Sequence, residues 1–352
     1  MTQGGKLMRS AAYALHRQRR PAFTLVELIV VIAIIVILIA LTAAGYFYFV
    51  TSTQGRNTEG TIRTVNKVFQ GQWAWVVEQA KKESPSQGVK DAATNTVANV
   101  PGCSDPGGER AKALWIKVRL MEAFPIAFSE INNNAAGNDP VFKFLYVDTG
   151  NGNPAIPSGQ RKYISQYQRA IAINAAVNPA TESSACLLMA LAVSRGGSSL
   201  SPDLLGPAVM DTDQDGIPEI VDGWKKPLAF FRFAWGTGAL SGAAGGIQGL
   251  NPAAAGSKGA KLGDPLDPGG ALASWPAGPG KTTFQNIAHQ ITNAAGTANY
   301  VIPVLASIGP DNDMVAGVAT PSLPLSSTCA TTGLTAQSTV TEPDNIYSFN
   351  LR

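Results

Sequence analysis

Phe23-Thr24-Leu25-Val26-Glu27 opens onto a run, Leu28–Val50, that carries no charged side chain. As an α-helix that run rises about 35 Å at 1.5 Å per residue, enough to cross the hydrocarbon core of a bilayer. Lys6, Arg9, Arg17, Arg19 and Arg20 precede it with no acid among them. That asymmetry keeps the leading end cytoplasmic and puts everything after about residue 50 on the far side of the membrane. One carboxylate, Glu27, sits a turn inside the apolar segment, where an acid costs about 3 kcal/mol and needs a partner. A secretory signal peptide fits poorly, because the run is longer than an h-region and no Ala-x-Ala site closes it.

Arg19-Arg20-Pro21-Ala22 followed by Phe23-Thr24-Leu25-x-Glu27 resembles the N-terminus of type IV prepilins and of type II secretion pseudopilins. The resemblance implies that prepilin peptidase removes residues 1–22 by cutting between Ala22 and Phe23, and that the new Phe23 amine is N-methylated. It also implies that Glu27 pairs with the Phe23 amine of a neighbouring subunit in a helical filament, built by an assembly ATPase and a platform membrane protein. Two positions depart from the family pattern. Ala22 stands where most relatives have Gly, and Ala44, beside Gly45, stands where many carry a helix-kinking Pro.

Apolar residues then recur at Ile62, Val65, Phe69, Trp73, Val76 and Ala80, the spacing of one helix face. The spacing predicts one helix over 23–83, membrane-spanning at 28–50 and amphipathic beyond, ending before Ser84-Pro85. Trp73 and Trp75 both read as core. Residues 84–226 read as a helical and loop-rich head: a loop over 84–107, helices over 108–124, 161–176 and 183–194, and a short strand over 141–147. Residues 227–352 read as a small β-region with strands at 228–235, 300–308 and 346–351. Pro303 demotes the middle strand to an edge or a bulge. The Gly, Ala and Pro-rich stretch 236–281 reads as a surface insertion, and 320–343 as a second loop. The expected fold class is therefore α+β, with a long N-terminal helix packed on a head of further helices and a small antiparallel C-terminal sheet, as in pilins.

Composition supports export. Only 14% of residues are charged, with 36 Gly and 23 Pro. The formal charge is +3, but the leader's five cations account for it and removing them leaves about −2, so no basic footprint for nucleic acid remains. Cys103, Cys186 and Cys329 allow one intramolecular disulfide plus a thiol, or three reduced thiols, and the sequence does not choose the pair.

The sharpest motif is Asp211-Thr212-Asp213-Gln214-Asp215-Gly216-Ile217-Pro218-Glu219-Ile220-Val221-Asp222. Oxygen donors at loop positions 1, 3, 5, 9 and 12, a carbonyl at position 7 and Gly at 6 are the spacing that wraps a hard cation. Asp211, Asp213, Asp215, Ile217 (through its carbonyl), Glu219 and Asp222 are the expected ligands of a structural calcium. Magnesium and a solvated acidic turn are the alternatives. Trp224-x-x-Pro227 follows, similar to an element that precedes the β-region in major pseudopilins, which bind calcium there. Asp311-Asn312-Asp313 reads as a β-turn, with completion of a calcium site as the alternative.

Catalysis has little support. After cleavage His289 is the one histidine, no Ser or Cys motif suggests a triad, and Gly278-Pro279-Gly280-Lys281-Thr282 lacks the first Gly and the preceding strand of a phosphate loop. The expectation is a non-enzymatic pseudopilin-like subunit of a type II secretion pseudopilus. A type IV pilin for adhesion or DNA uptake, and a prepilin-anchored calcium-binding surface protein, remain open at this point.

Overall fold

The computed structural model describes residues 24–94, 104–126, 181–235, 264–278, 281, 284, 301–307, 309 and 346–348. The expected helix over 161–176, the strand over 141–147, His289, the turn at 311–313 and the loop 320–343 lie outside these. The chain divides into two compact units between Thr51 and Ser52.

Helix α1, Leu25–Lys82, passes through both. It contains no Pro, runs unbroken through Ala44-Gly45, and satisfies four of its threonines internally. The hydroxyls of Thr42, Thr58, Thr61 and Thr64 each donate to the carbonyl four residues earlier at 2.9–3.0 Å. Lys81 and Lys82 in the last turn face the negative end of the helix dipole. In the first unit the apolar side chains from Leu25 to Phe49 are exposed. Among the described residues α1 is the one helix long and apolar enough to cross a membrane.

In the second unit the predicted stripe is the core. Ile62, Val65, Phe69, Trp73, Val76 and Ala80 are all buried. Phe69 meets Phe124 and Phe230 edge-on at 5.0 and 5.3 Å between ring centroids, and Trp73 stacks on Phe124 at 5.8 Å. Trp75 corrects the expectation of a core pair: it is 41% exposed and lies over Gly196, whose positive φ and lack of a Cβ leave room for the indole.

Besides α1 the described residues hold α2 Gln87–Thr94, α3 Glu109–Ala123, α4 Glu182–Ala192 and a single helical turn at Pro202–Leu205. The stretch 84–107 is thus not all loop. Val89, Ala92 and Ala93 are buried, and that spacing on one short face, with the Ser86 hydroxyl near the Val89 amide, outweighs the roughly 1 kcal/mol that Gly88 costs inside a helix. Cys186 is buried on α4. Cys103 and Cys329 lie outside the described residues.

A polar knot ties α4 to α1. Gln72 is fully buried, and its amide nitrogen lies within 2.9–3.1 Å of the carbonyls of Leu191, Val193 and Ser198. Arg195 donates to Gln72 Oε1, to Ala190 O and to Ala123 O at 3.0, 2.7 and 3.1 Å, with its guanidinium over the Phe124 ring.

Two antiparallel sheets complete the described fold. The smaller pairs β1, Val209–Met210, with β2, Glu219–Ile220. The larger has the order β3-β4-β5, with β3 Ala229–Trp235, β4 Val301–Ser307 and β5 Ile346–Tyr347. The strand holding Pro303 is therefore central rather than an edge. Pro303 is tolerated because the register against β3 slips between Phe231 and Ala234 beside it, while β5 pairs only at Ala306 and Ser307. The architecture is the α+β, pilin-like one expected.

The insertion reading needs one correction. Within 236–281, residues 264–278 form turns whose Leu266, Leu272 and Trp275 belong to the core. Asp264 forms a buried ion pair with Lys117 of α3, and Arg110 donates to Ala271 O at 3.3 Å. Glycine and proline here shape a compact crossing of the core. Residues 236–263 lie outside the description.

Candidate metal centre and the N-terminal motif

The two-residue sheet β1–β2 pinches the ends of the acidic loop, pairing Met210 with Glu219 and Val209 with Ile220. Between them the backbone takes positive φ at Gln214 (62°) and Gly216 (87°), the tight turn for which Gly at position 6 is suited. Carboxylates organise the loop's own amides. Asp211 Oδ2 accepts from Gly216 N at 3.0 Å, Asp213 Oδ1 from Asp215 N at 3.3 Å, and Asp215 Oδ1 from Ile217 N at 2.7 Å. The result gathers Asp211, Asp213, Asp215 and Glu219, each with a carboxylate oxygen within 4.8 Å of the others'.

Glu219 is the deepest member. It is fully buried. Its Oε2 accepts from the Thr212 amide at 2.8 Å and the Thr212 hydroxyl at 3.0 Å, whereas Oε1 is buried with no hydrogen-bond partner. Burial first, then the charges of Asp213 and Asp215, push its pKa up to about 7 against the pull of Thr212. Asp215 is raised too, chiefly by burial. A buried carboxylate oxygen without a donor, facing three more acids, is a poor arrangement for protein alone. The donors fit a hard cation that takes oxygen ligands.

Ile217 buries its side chain, so its backbone is the polar group it can offer. Asp222 is not brought into the cluster. Its Oδ1 accepts from Trp224 N and Lys226 N at 2.8 and 2.9 Å, and its Oδ2 from the Ser307 hydroxyl at 2.7 Å. It closes the turn before β3 and ties that turn to β4. Sequence reasoning missed Thr181, whose hydroxyl donates to Asp213 Oδ2 at 2.7 Å from the turn before α4. It also missed Ser184, which both donates to Ile220 O and accepts from Ile220 N at 2.8 and 2.9 Å. Neither has a spacing signal, since both act across more than 30 residues. The following Gly223 reaches α1, its amide donating to Thr58 Oγ1 at 2.8 Å.

At the other end of α1, Thr24 and Glu27 form a reciprocal cap. Thr24 N donates to Glu27 Oε2 at 2.8 Å, Glu27 N donates to Thr24 Oγ1 at 3.2 Å, and the Thr24 hydroxyl reaches Glu27 Oε2 at 3.0 Å. One carboxylate oxygen thus closes the helix start, and the apolar run follows without a break. Ala22 and Phe23 lie outside the described residues.

Residues 17–43 match the prokaryotic N-terminal methylation motif. No curated protein and no solved structure matches the chain. The methylation motif implies processing by prepilin peptidase and pilus-type assembly, and it points to a structural subunit rather than an enzyme. With it, the long apolar helix agrees with a single-pass membrane anchor.

Proposed function

We propose that this chain is a pseudopilin-like subunit of a type II secretion pseudopilus or related filament, with structural calcium in its head. Prepilin peptidase cuts between Ala22 and Phe23, and the Phe23 amine is methylated. Before assembly residues 28–50 lie across the inner membrane with the leader cytoplasmic and the head outside. An assembly ATPase and a platform membrane protein then draw subunits into the filament, where Glu27 meets the Phe23 amine of a neighbour and the growing fibre pushes exported protein. The observation carrying this reading is the methylation motif leading unbroken into a helix with an exposed apolar first half and a second half that supplies the head's core.

The donor set supports calcium as the ion. Asp211, Asp213, Asp215 and Glu219 supply carboxylates, the Ile217 carbonyl adds one ligand, and Thr181 orients Asp213. Asp222, expected as the twelfth-position ligand, serves the adjoining turn instead. The test of assembly is Glu27→Ala. Cleavage and membrane insertion remain, while filaments and secretion are lost; filaments at the native yield would overturn the pairing. Surface pili with secretion intact in a deletion strain would assign the chain to pili instead.

A further inference from the structure

Tyr46-Phe47-Tyr48-Phe49 closes the apolar part of α1. Successive residues of an α-helix turn by about 100°, so four in a row point to every side of the axis. All four are exposed, at 65%, 67%, 80% and 69%, and the Tyr46 and Phe47 rings meet edge to face at 6.0 Å. A seam against one neighbouring helix confines its large residues to one face and favours small ones where backbones approach. Aromatics on every side suit surroundings that are alike in every direction.

Position along the helix narrows those surroundings. From Leu28, the first residue past Glu27, to Gly45 the helix rises about 27 Å, just short of the ~30 Å of a bilayer's hydrocarbon core. The one hydroxyl in that stretch, on Thr42, donates within the helix to Leu38 O and Ile39 O at 2.9 and 3.0 Å. Immediately past Val50 the sequence turns polar, Thr51-Ser52-Thr53-Gln54 and then Arg56. Rings with polar tips gather at that kind of boundary, where the apolar body and the hydroxyl are satisfied at different depths. The Tyr46 and Tyr48 hydroxyls leave the axis about 200° apart, so both sides have a polar handle.

We propose that Tyr46–Phe49 is a circumferential aromatic collar seated in the phospholipid headgroup layer, at the end of the span away from the leader, and that it sets the depth of the chain before assembly. The collar rests on the reading that α1 crosses the membrane. Its occupant is lipid on all sides, not a second copy.

The full chain, with Cys103, Cys186 and Cys329 changed to alanine, takes single nitroxide-bearing cysteines between 35 and 53 in phosphatidylethanolamine–phosphatidylglycerol vesicles. Collision with oxygen against a nickel chelate then reads depth. Labels at 46 to 49 should all report the headgroup layer with no helical repeat. Changing the other three aromatics of that group to leucine should shift the layer toward 50–53. Hydrocarbon depth at 46–49, a repeat every three to four residues, or no shift in the leucine variants overturns the collar. With the native cysteines kept, a benzophenone amino acid at each of the four positions should give phospholipid adducts at all four. Adducts at one position only, or to a second copy, overturn it as well. A chain that fails to float with the vesicles overturns the membrane reading itself, and that result is seen before any depth is measured.

Discussion

The Gly223 amide donates to the Thr58 hydroxyl at 2.8 Å, and a Cβ on Gly223 would fall 2.2 Å from the carbonyl oxygen of Gln54. Thr58 itself donates to that same carbonyl at 2.9 Å. The turn after the acidic loop is therefore pressed against the α1 backbone at a point where any side chain collides.

Gly223→Ala should destabilise the head by about 2–3 kcal/mol, the upper range for overpacking against a backbone that cannot yield. Thr58→Val keeps the shape and removes the acceptor, costing about 1–2 kcal/mol. Urea unfolding of residues 52–352 measures both, and an alanine variant as stable as the parent would show that α1 moves away at no cost.

Calorimetry on the same fragment should show calcium binding that Asp211→Ala and Asp215→Ala abolish. At a hundredfold excess over the dissociation constant, binding raises stability by about 2.7 kcal/mol. A flat titration refutes the site. Asp222→Asn should leave the affinity nearly unchanged while lowering stability, because Asp222 serves Ser307 and the turn.

Without a cation, Glu219 gives the head an inverted pH response. Its folded pKa, about 7, lies above the ordinary 4.5, so the folded state holds a proton that the unfolded chain releases. The stability it contributes is complete below about 4.5 and lost as pH rises through about 7, on the order of 3 kcal/mol at most. Asp215 shifts in the same direction. In chelator, the melting-temperature difference between Glu219→Gln and the parent should move in the variant's favour from pH 4.5 to 7.5. Saturating calcium should cancel that trend, since the cation replaces the proton. An unchanged difference would mean that Glu219 ionises normally.

Gln72→Leu should cost about 3 kcal/mol although leucine fits the apolar stripe. It removes the Gln72 acceptor from Arg195 and takes one donor from the carbonyls of Leu191, Val193 and Ser198, of which Leu191 and Ser198 keep the amides of Leu200 and Arg195. Arg195→Met in the leucine background should recover part of the loss, read as the urea midpoint. Simple additivity would show that the two side chains do not act together.

What the sequence carried well was periodic or local. The α1 stripe from Ile62 to Ala80 repeats every three to four residues, and the loop acids fall at fixed intervals, so both were legible. Pairings across long separations were not. Asp222 stands at a ligand position by count, yet Ser307, far along the chain, draws it away. Residues 264–278 have the composition of a surface loop, and the Lys117–Asp264 pair with buried Leu266, Leu272 and Trp275 shows that the segment belongs to the core. Trp75 falls off the stripe that Trp73 and Val76 define, so its exposure was legible, whereas its place over Gly196 depends on a turn beyond α4. Pro303 was rightly tied to a bulge, but nothing local said that a third strand would flank it.

The contact between Phe69 and Phe230 has a consequence for biogenesis. The second half of α1 leaves the ribosome long before Phe230 exists, although Phe124 follows sooner. At 5–20 residues per second the wait is roughly 10–30 s, during which Ile62, Val65, Phe69 and Trp73 form a sticky amphipathic ribbon next to a membrane anchor. A newborn chain is thus most open to misassociation before Phe230 emerges.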